Sequence, residues 1–321
     1  MNRAQRFLVA LLATAACAAF AQDHYPDKPI RLIVPTSTGT ASDLTARYVS
    51  EELGKALGTS IVVDNRTGAN GVLATQQLLG APADGYTMMV MASGLYANPA
   101  LYKNVTYDPG RDQTIVAPLN QAFFVLVAAP NYEVANVKDV VERAKKQPGE
   151  VTYASASVGS STHFAPELFA QRAGIKLRHI PYKGGAQAIT DTAGGQVNIA
   201  MTAVPTAVPL IRAGKLKALA VSAPNRSSLL QDVPTFAESG VNGAEFVSKQ
   251  SIVVRTGTPQ AIVTKLRQAL VKVTASPEYA RFLLAQGLEK ETTALDDYVK
   301  TGPEETVRWA EMVRMSGVKQ E

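Results

Sequence analysis

The chain has 321 residues, 46% of them hydrophobic, a formal charge of +5 and a single cysteine. That length exceeds one ordinary domain, so two lobes with separate cores are expected. A lone thiol excludes an internal disulfide and a cysteine-based metal site, and the scattered Lys and Arg form no stripe of the kind that tracks nucleic acid.

The N-terminus reads as a leader rather than as fold. Arg3 and Arg6 make a basic start, 7–20 is an apolar run, and Ala19-Phe-Ala21 has the form of a signal-peptidase site. Export with cleavage after Ala21 is therefore expected, giving a periplasmic protein. Cys17 as a lipidated residue is the rival reading, against which Thr14 stands where that motif carries an aliphatic side chain. Cys17 leaves with the leader. No later stretch offers the roughly 18 consecutive apolar residues that a membrane-spanning helix needs.

The mature fold opens with a strand from Ile30 to Val34. Ser37, Thr38, Gly39 and Thr40 follow as a small, hydroxyl-rich loop, and a helix runs over 43–57. Ser42 or Asp43 is placed to cap it, Leu44, Tyr48 and Leu57 share a face, and Gly58 suits its end. A strand entering a helix through such a loop aims backbone N–H groups and the positive end of the helix dipole at one point, which favours an anion. An ordinary βα turn is the plain alternative. A strand at 60–64, a helix at 72–79 and a strand at 87–91 continue the alternation, with Ser93 at the strand end. This implies a parallel sheet covered on both faces.

Apolar runs at 115–119 and 124–129, split by Asn120-Gln121, carry the chain to a second lobe. A charged amphipathic helix covers 137–147. The strand–loop–helix pattern then recurs. A strand at 151–154 leads into Ser155, Ser157, Gly159, Ser160, Ser161, Thr162 and His163, and a helix at 164–173 stops at Gly174. Two such helix starts facing each other would clamp one anionic ligand. His163 is either a donor to a carboxylate or a capping and packing residue. Lys183 and Gly184 sit in a turn after a strand at 177–181, where Lys183 is either a ligand contact or a solvated lysine. A strand at 197–202 brings Thr202 to its end, and a helix at 205–213 and a strand at 216–222 close this lobe. Helices at 259–274 and 277–286, and one long helix from Asp296 to about Met315, complete the chain. The lobes are expected at 22–122 with 228–321, and at 123–227, after a leader at 1–21.

Catalytic chemistry has little support. His24, His163 and His179 are too scattered for a metal site, and no nucleophile elbow or phosphate-binding loop occurs. No metal and no cofactor are expected.

The motifs, taken together, resemble the periplasmic solute-binding proteins of tripartite tricarboxylate transporters, the Bug family. They are Tyr25-Pro-Asp-Lys-Pro-Ile30, Val34-Pro35 with Gly39 and Asp43, Asn65-Arg66 with Gly68 and Gly71, Ala83-Asp-Gly-Tyr-Thr87 and Asn98-Pro-Ala-Leu-Tyr102. Further along come Tyr107-Asp-Pro109, Tyr153-Ala-Ser155, His179-Ile-Pro-Tyr-Lys-Gly184, Gly194-Gly-Gln-Val197, Ala213-Gly-Lys-Leu216 and Asp232-Val-Pro-Thr235. They span nearly the whole mature chain in the family's order.

The resemblance implies an α/β fold, the two-lobe Venus-flytrap (type II) fold of periplasmic binding proteins. It implies no catalysis, a small carboxylate ligand and membrane transporter subunits as partners, and a monomer is expected because a hinged capture protein needs free lobes. Carried over by position, Ser37 to Thr40 contact the ligand with Asp43 supporting the helix start. In the second lobe the contacts fall within 155–163, with Lys183 and Gly184 nearby. The chain departs from the family's usual Val-Pro-aromatic-x-Pro-Gly-Gly loop at Thr36, Thr38 and Thr40. A ligand larger than the small amino-dicarboxylates, or an aromatic one, is expected, with Phe164 and Phe123-Phe124 supplying apolar surface. A sensor module on the same fold is the alternative, and a secreted hydrolase a more distant one.

Overall fold

The structure, a computed structural model, describes residues 25–318 and 320, so the leader and His24 lie outside it. In chain order the elements are β1 (Ile30–Val34), α1 (Ala41–Leu57), β2 (Ile61–Asn65), α2 (Val72–Gly80), β3 (Thr87–Ala92) and β4 (Gln113–Ala128). Next come α3 (Val137–Lys146), β5 (Thr152–Ser155), α4 (Ser161–Ala173), β6 (Arg178–Pro181), α5 (Gly185–Ala193) and β7 (Ile199–Ala203). The chain continues through α6 (Val204–Arg212), β8 (Lys217–Val221), β9 (Val247–Arg255), α7 (Gln260–Ala275), α8 (Pro277–Ala285) and α9 (Gly302–Met315). Among the described residues no helix is long and apolar enough to cross a membrane.

Two compact units emerge. The first takes the chain up to Val90 with Gln113–Ala117 and Ile252–Ser276, and the second takes Met91–Asp112, Pro118–Ser251 and Pro277–Glu321. β4 and β9 each begin in one unit and end in the other. This grouping differs from the expected lobes, because 91–112, 118–122, 228–251 and 277–321 join the second unit. For 91–112 and 277–321 the cause is α9, which packs on the short helical turns at 93–97 and 109–112 and on α4.

In the first unit, β1 pairs in parallel with β2 on one side and β3 on the other. This is the parallel sheet that alternating strands and helices predict. The buried face of α1 is not the expected Leu44–Tyr48–Leu57 stripe. Leu44 is exposed, and Ala46, Val49 and Leu53 are buried beside small residues including Ser50 and Gly54. The helix packs on β1, β2 and α7. At its C-terminal end the chain turns back tightly over the helix: a Cβ on Gly54 would come within 2.9 Å of the Thr59 carbonyl oxygen.

In the second unit, β5 lies parallel to β6 and β7, while β4 runs antiparallel to β7 and β8. A chain of edge-to-face rings links Phe124 to Phe246 at 5.2 Å, Phe246 to Trp309 at 5.8 Å and Trp309 to Phe164 at 5.5 Å. Phe164 and Phe124 are therefore interior packing and not the apolar binding surface expected of them. The expected long C-terminal helix is two pieces, Leu295–Tyr298 and α9. Pro303 stands at the start of α9, where its missing N–H costs nothing, whereas a continuous helix would place it internally, where it clashes.

Candidate functional site

The two hydroxyl-rich segments adopt one local geometry, once in each unit. In the first, Gly39 has φ +83° and Thr40 is the N-cap of α1 at φ −75°, ψ 160°. In the second, Gly159 has φ +76° and Ser160 is the N-cap of α4 at φ −78°, ψ 163°. Thr40 Oγ1 donates to the Ser37 carbonyl at 2.9 Å, and Ser160 Oγ donates to the Ser157 carbonyl at 2.8 Å. The glycine N–H in each loop donates to the third residue of its helix, Gly39 to Asp43 Oδ2 at 2.9 Å and Gly159 to His163 Nδ1 at 3.1 Å. The shared pattern is Ser-x-Gly-(Thr/Ser)-x-(Ser/Thr)-acceptor, at 37–43 and 157–163. Glycine at the third place supplies the positive φ, and the hydroxyl residue after it stands at the N-cap, where only Thr40 uses its side chain to cap the helix.

Thr40, rather than Ser42 or Asp43, caps α1, with its hydroxyl accepting the Asp43 N–H at 3.3 Å. Asp43 instead bolts the loop together from beneath. Its carboxylate is fully buried and accepts from Gly39 N–H, from Arg47 Nε at 3.0 Å and from Asn65 Nδ2 at 2.9 Å. Burial alone would raise its pKa. The bonds from Arg47, the Gly39 N–H and Asn65 outweigh it and hold the carboxyl below its ordinary range. Asn65 Nδ2 also reaches the Thr36 carbonyl at 3.0 Å. Ser37, Thr38, Gly39 and Thr40 are exposed above this frame.

The second loop is held without charge. Thr162 Oγ1 accepts the Ala156 N–H at 2.8 Å. Ser155 Oγ contacts His179 Nε2 at 2.6 Å and the Ser157 carbonyl at 3.1 Å. The His163 and His179 rings stack 4.1 Å apart, and Tyr153 stacks on His179 at 4.8 Å. Tyr153 OH donates to Glu167 Oε1 at 2.5 Å. Burial, with His179 alongside, pushes His163 down to about 3, and burial pushes His179 down to about 4, so both are neutral at physiological pH. Burial raises Glu167 as well.

The structure gathers some of the expected site residues and separates others. Ser155, Thr162 and Thr202 line one depression in the second unit together with Ala188, Ile189, Met201 and Gly185 at the start of α5. Lys183 is exposed, and Gly184 is the N-cap of α5. Ser157, Gly159, Ser160 and Ser161 belong to the loop and first turn of α4 but do not line the depression. His163 is 2% exposed, with Nδ1 already accepting a bond, so its position is that of a packing residue. Ser93 is buried in the second unit, and its hydroxyl accepts the Lys249 N–H at 3.1 Å. Sequence reasoning missed Asn65, Arg47 and His179 as holders of the loops. For Asn65 and His179 the signal was their place in the Asn65-Arg66 and His179–Gly184 motifs. For Arg47 it was the i, i+4 spacing from Asp43.

Comparison with known proteins agrees with this frame. The family profile described as "Tripartite tricarboxylate transporter family receptor" matches residues 45–318. The chain is 33% identical to BugT of Bordetella pertussis over 99% of both chains. It is similar to the structure of R. palustris Rpa4515 with adipate, with a TM-score of 0.82 and 31% identity over 92% of this chain and 100% of that one. It is also similar to MatC (Rpa3494) from Rhodopseudomonas palustris with bound malate, with a TM-score of 0.78 and 27% identity over 90% and 100%. The fold is thus the two-lobe fold of periplasmic binding proteins, and the chain belongs to the TctC/Bug family of solute-binding receptors.

Proposed function

We propose that this protein captures a small organic carboxylate in the periplasm and delivers it to the membrane subunits of a tripartite tricarboxylate-type transporter. The observation that carries the reading is the adipate held by Rpa4515, a relative matched over 92% of this chain. The duplicated helix start supports it, because each copy directs a hydroxyl-rich turn and a helix N-terminus outward, and such ends favour anions. The depression in the second unit is lined by the hydroxyl residues Ser155, Thr162 and Thr202 and by apolar side chains, with no cationic side chain in its lining. The adipate of Rpa4515 makes a ligand of that size the one preferred here to a small amino-dicarboxylate. Hydroxyls and N–H groups bind the carboxylate by charge-assisted bonds.

Thermal unfolding against adipate, malate, aspartate and benzoate tests the reading. A ligand at about a thousand times its Kd stabilises by roughly 4 kcal/mol, so a true ligand is plainly visible. A shift with adipate and none with aspartate is the expected result. Tight aspartate binding with no response to larger acids overturns the size preference, and a response to none of the four removes adipate as the guide to this chain's ligand. A pull-down of the ligand-loaded protein against transporter membrane subunits and against a sensor kinase then separates delivery from sensing.

A further inference from the structure

His163 has no ligand role in the reading above, yet it occupies the position in the second loop that Asp43 occupies in the first. Both are the third residue of their helix, and both accept the N–H of the positive-φ glycine just ahead of the N-cap. In the first loop this acceptor is a carboxylate neutralised by Arg47. In the second it is one nitrogen of an imidazole. A ring nitrogen that accepts an N–H carries no proton, so the proton of neutral His163 resides on Nε2. The surroundings favour that neutral form. His179 on β6 stacks on the ring, Tyr153 on β5 and Glu167 on α4 lie beyond it, and Phe164 packs against it, itself backed by Trp309. Gly159 is held from the other direction too, because a Cβ there would lie 2.5 Å from Leu101 Cδ1.

We infer that His163 is a positioning residue: its bare Nδ1 fixes the Gly159 N–H, and with it the curvature of the turn that presents the second loop's hydroxyls. The inference rests on the carboxylate-binding reading only where affinity is measured. An imidazole fits this position for a stated reason. A carboxylate there would set an unneutralised negative charge behind an anion-binding turn, and His163 has no counterpart of Arg47. The acceptor is therefore supplied without the charge.

Two variants isolate the nitrogen. His163→Asn places an amide oxygen about where Nδ1 lies, and His163→Gln places one nearer Nε2, while both lose the same ring stack. Hydrogen exchange of the Gly159 amide is read in the mature protein without ligand, and the Kd for adipate is read separately. Gly159 is expected to exchange at the wild-type rate, within a few-fold, in the Asn variant and about tenfold faster in the Gln variant, the effect of one lost hydrogen bond. Adipate affinity should follow the same order. Equal Gly159 exchange in the two variants, or equal adipate affinity in both when the wild type binds, overturns the inference. If the wild type binds no adipate, the carboxylate reading fails on that ligand and the exchange data alone decide the role of His163. If either variant does not fold, the ¹⁵N shifts of His163 in the wild type decide: a protonated Nδ1 overturns the inference and an unprotonated Nδ1 supports it.

Discussion

The two helix starts differ in what holds them, although their backbones match. The first loop is exposed and is fixed by a buried charge, Asp43, compensated by Arg47 and Asn65. The second is half-buried and is fixed by the stacked His163 and His179 and the hydroxyls of Ser155 and Thr162. One geometry can thus be reached through a charge network or through packing, and the two routes fail under different conditions.

The largest expected effect comes from Asp43→Ala. It strips the acceptor from Gly39 N–H and the partner from Asn65 in a buried place, and it should cost about 2–3 kcal/mol, less than a fully buried pair because Arg47 is half exposed. Urea unfolding measures this, and a loss under about 0.5 kcal/mol would mean that the network does not hold the loop. Next is Gly159→Ala, which meets both positive φ and Leu101, at about 2–3 kcal/mol. Gly39→Ala meets only the φ penalty, about 1 kcal/mol, because nothing lies within 4 Å of its added Cβ. Equal losses at the two glycines would erase the distinction between an open and a packed turn.

The comparison sharpens with pH. Both histidines have folded pKa values below the unfolded 6.5, so the unfolded state takes up protons first as pH falls. Their contribution is complete above about pH 6.5 and is lost progressively down to about 4 for His179 and about 3 for His163, by at most about 1.4 kcal/mol per pH unit each. Asp43 also has a depressed pKa, but as an acid it loses its contribution only below the ordinary carboxylate range, as pH falls through the lower folded value. Between pH 6.5 and 4 the stability slope should therefore flatten in a His163→Asn, His179→Asn double variant and stay unchanged in Asp43→Asn. The smallest effect concerns the caps. Thr40→Ala should cost about 1 kcal/mol and Ser160→Ala about half that, since only Thr40 bonds the third helical N–H.

Much of the fold was legible because local rules carried it. β1, α1, β3 and α4 lie where apolar runs, helix caps and stop glycines put them, within two or three residues. What failed depended on contacts distant in sequence. The burial of Ala46, Val49 and Leu53 in place of Leu44 follows from α1 packing on β1, β2 and α7, which no local pattern reveals. Likewise α9 draws 277–321 to the second unit by packing on segments nearly two hundred residues earlier, such as 109–112. At the site, the hydroxyls and glycines were visible as types. Their holders Asn65 and His179 arrive through strand pairing, β1 beside β2 and β5 beside β6, and only the register Val34↔Asn65 and Tyr153↔His179 sets them in place.

The unequal surroundings of Gly39 and Gly159 also bear on how such a receptor acquires new ligands. The first turn has open space at Gly39, flanked by the threonines Thr36, Thr38 and Thr40. The second turn is wedged between Leu101 and an imidazole. A randomised library should therefore yield folded, divergent binders from 36–40 and mostly dead sequences from 157–160.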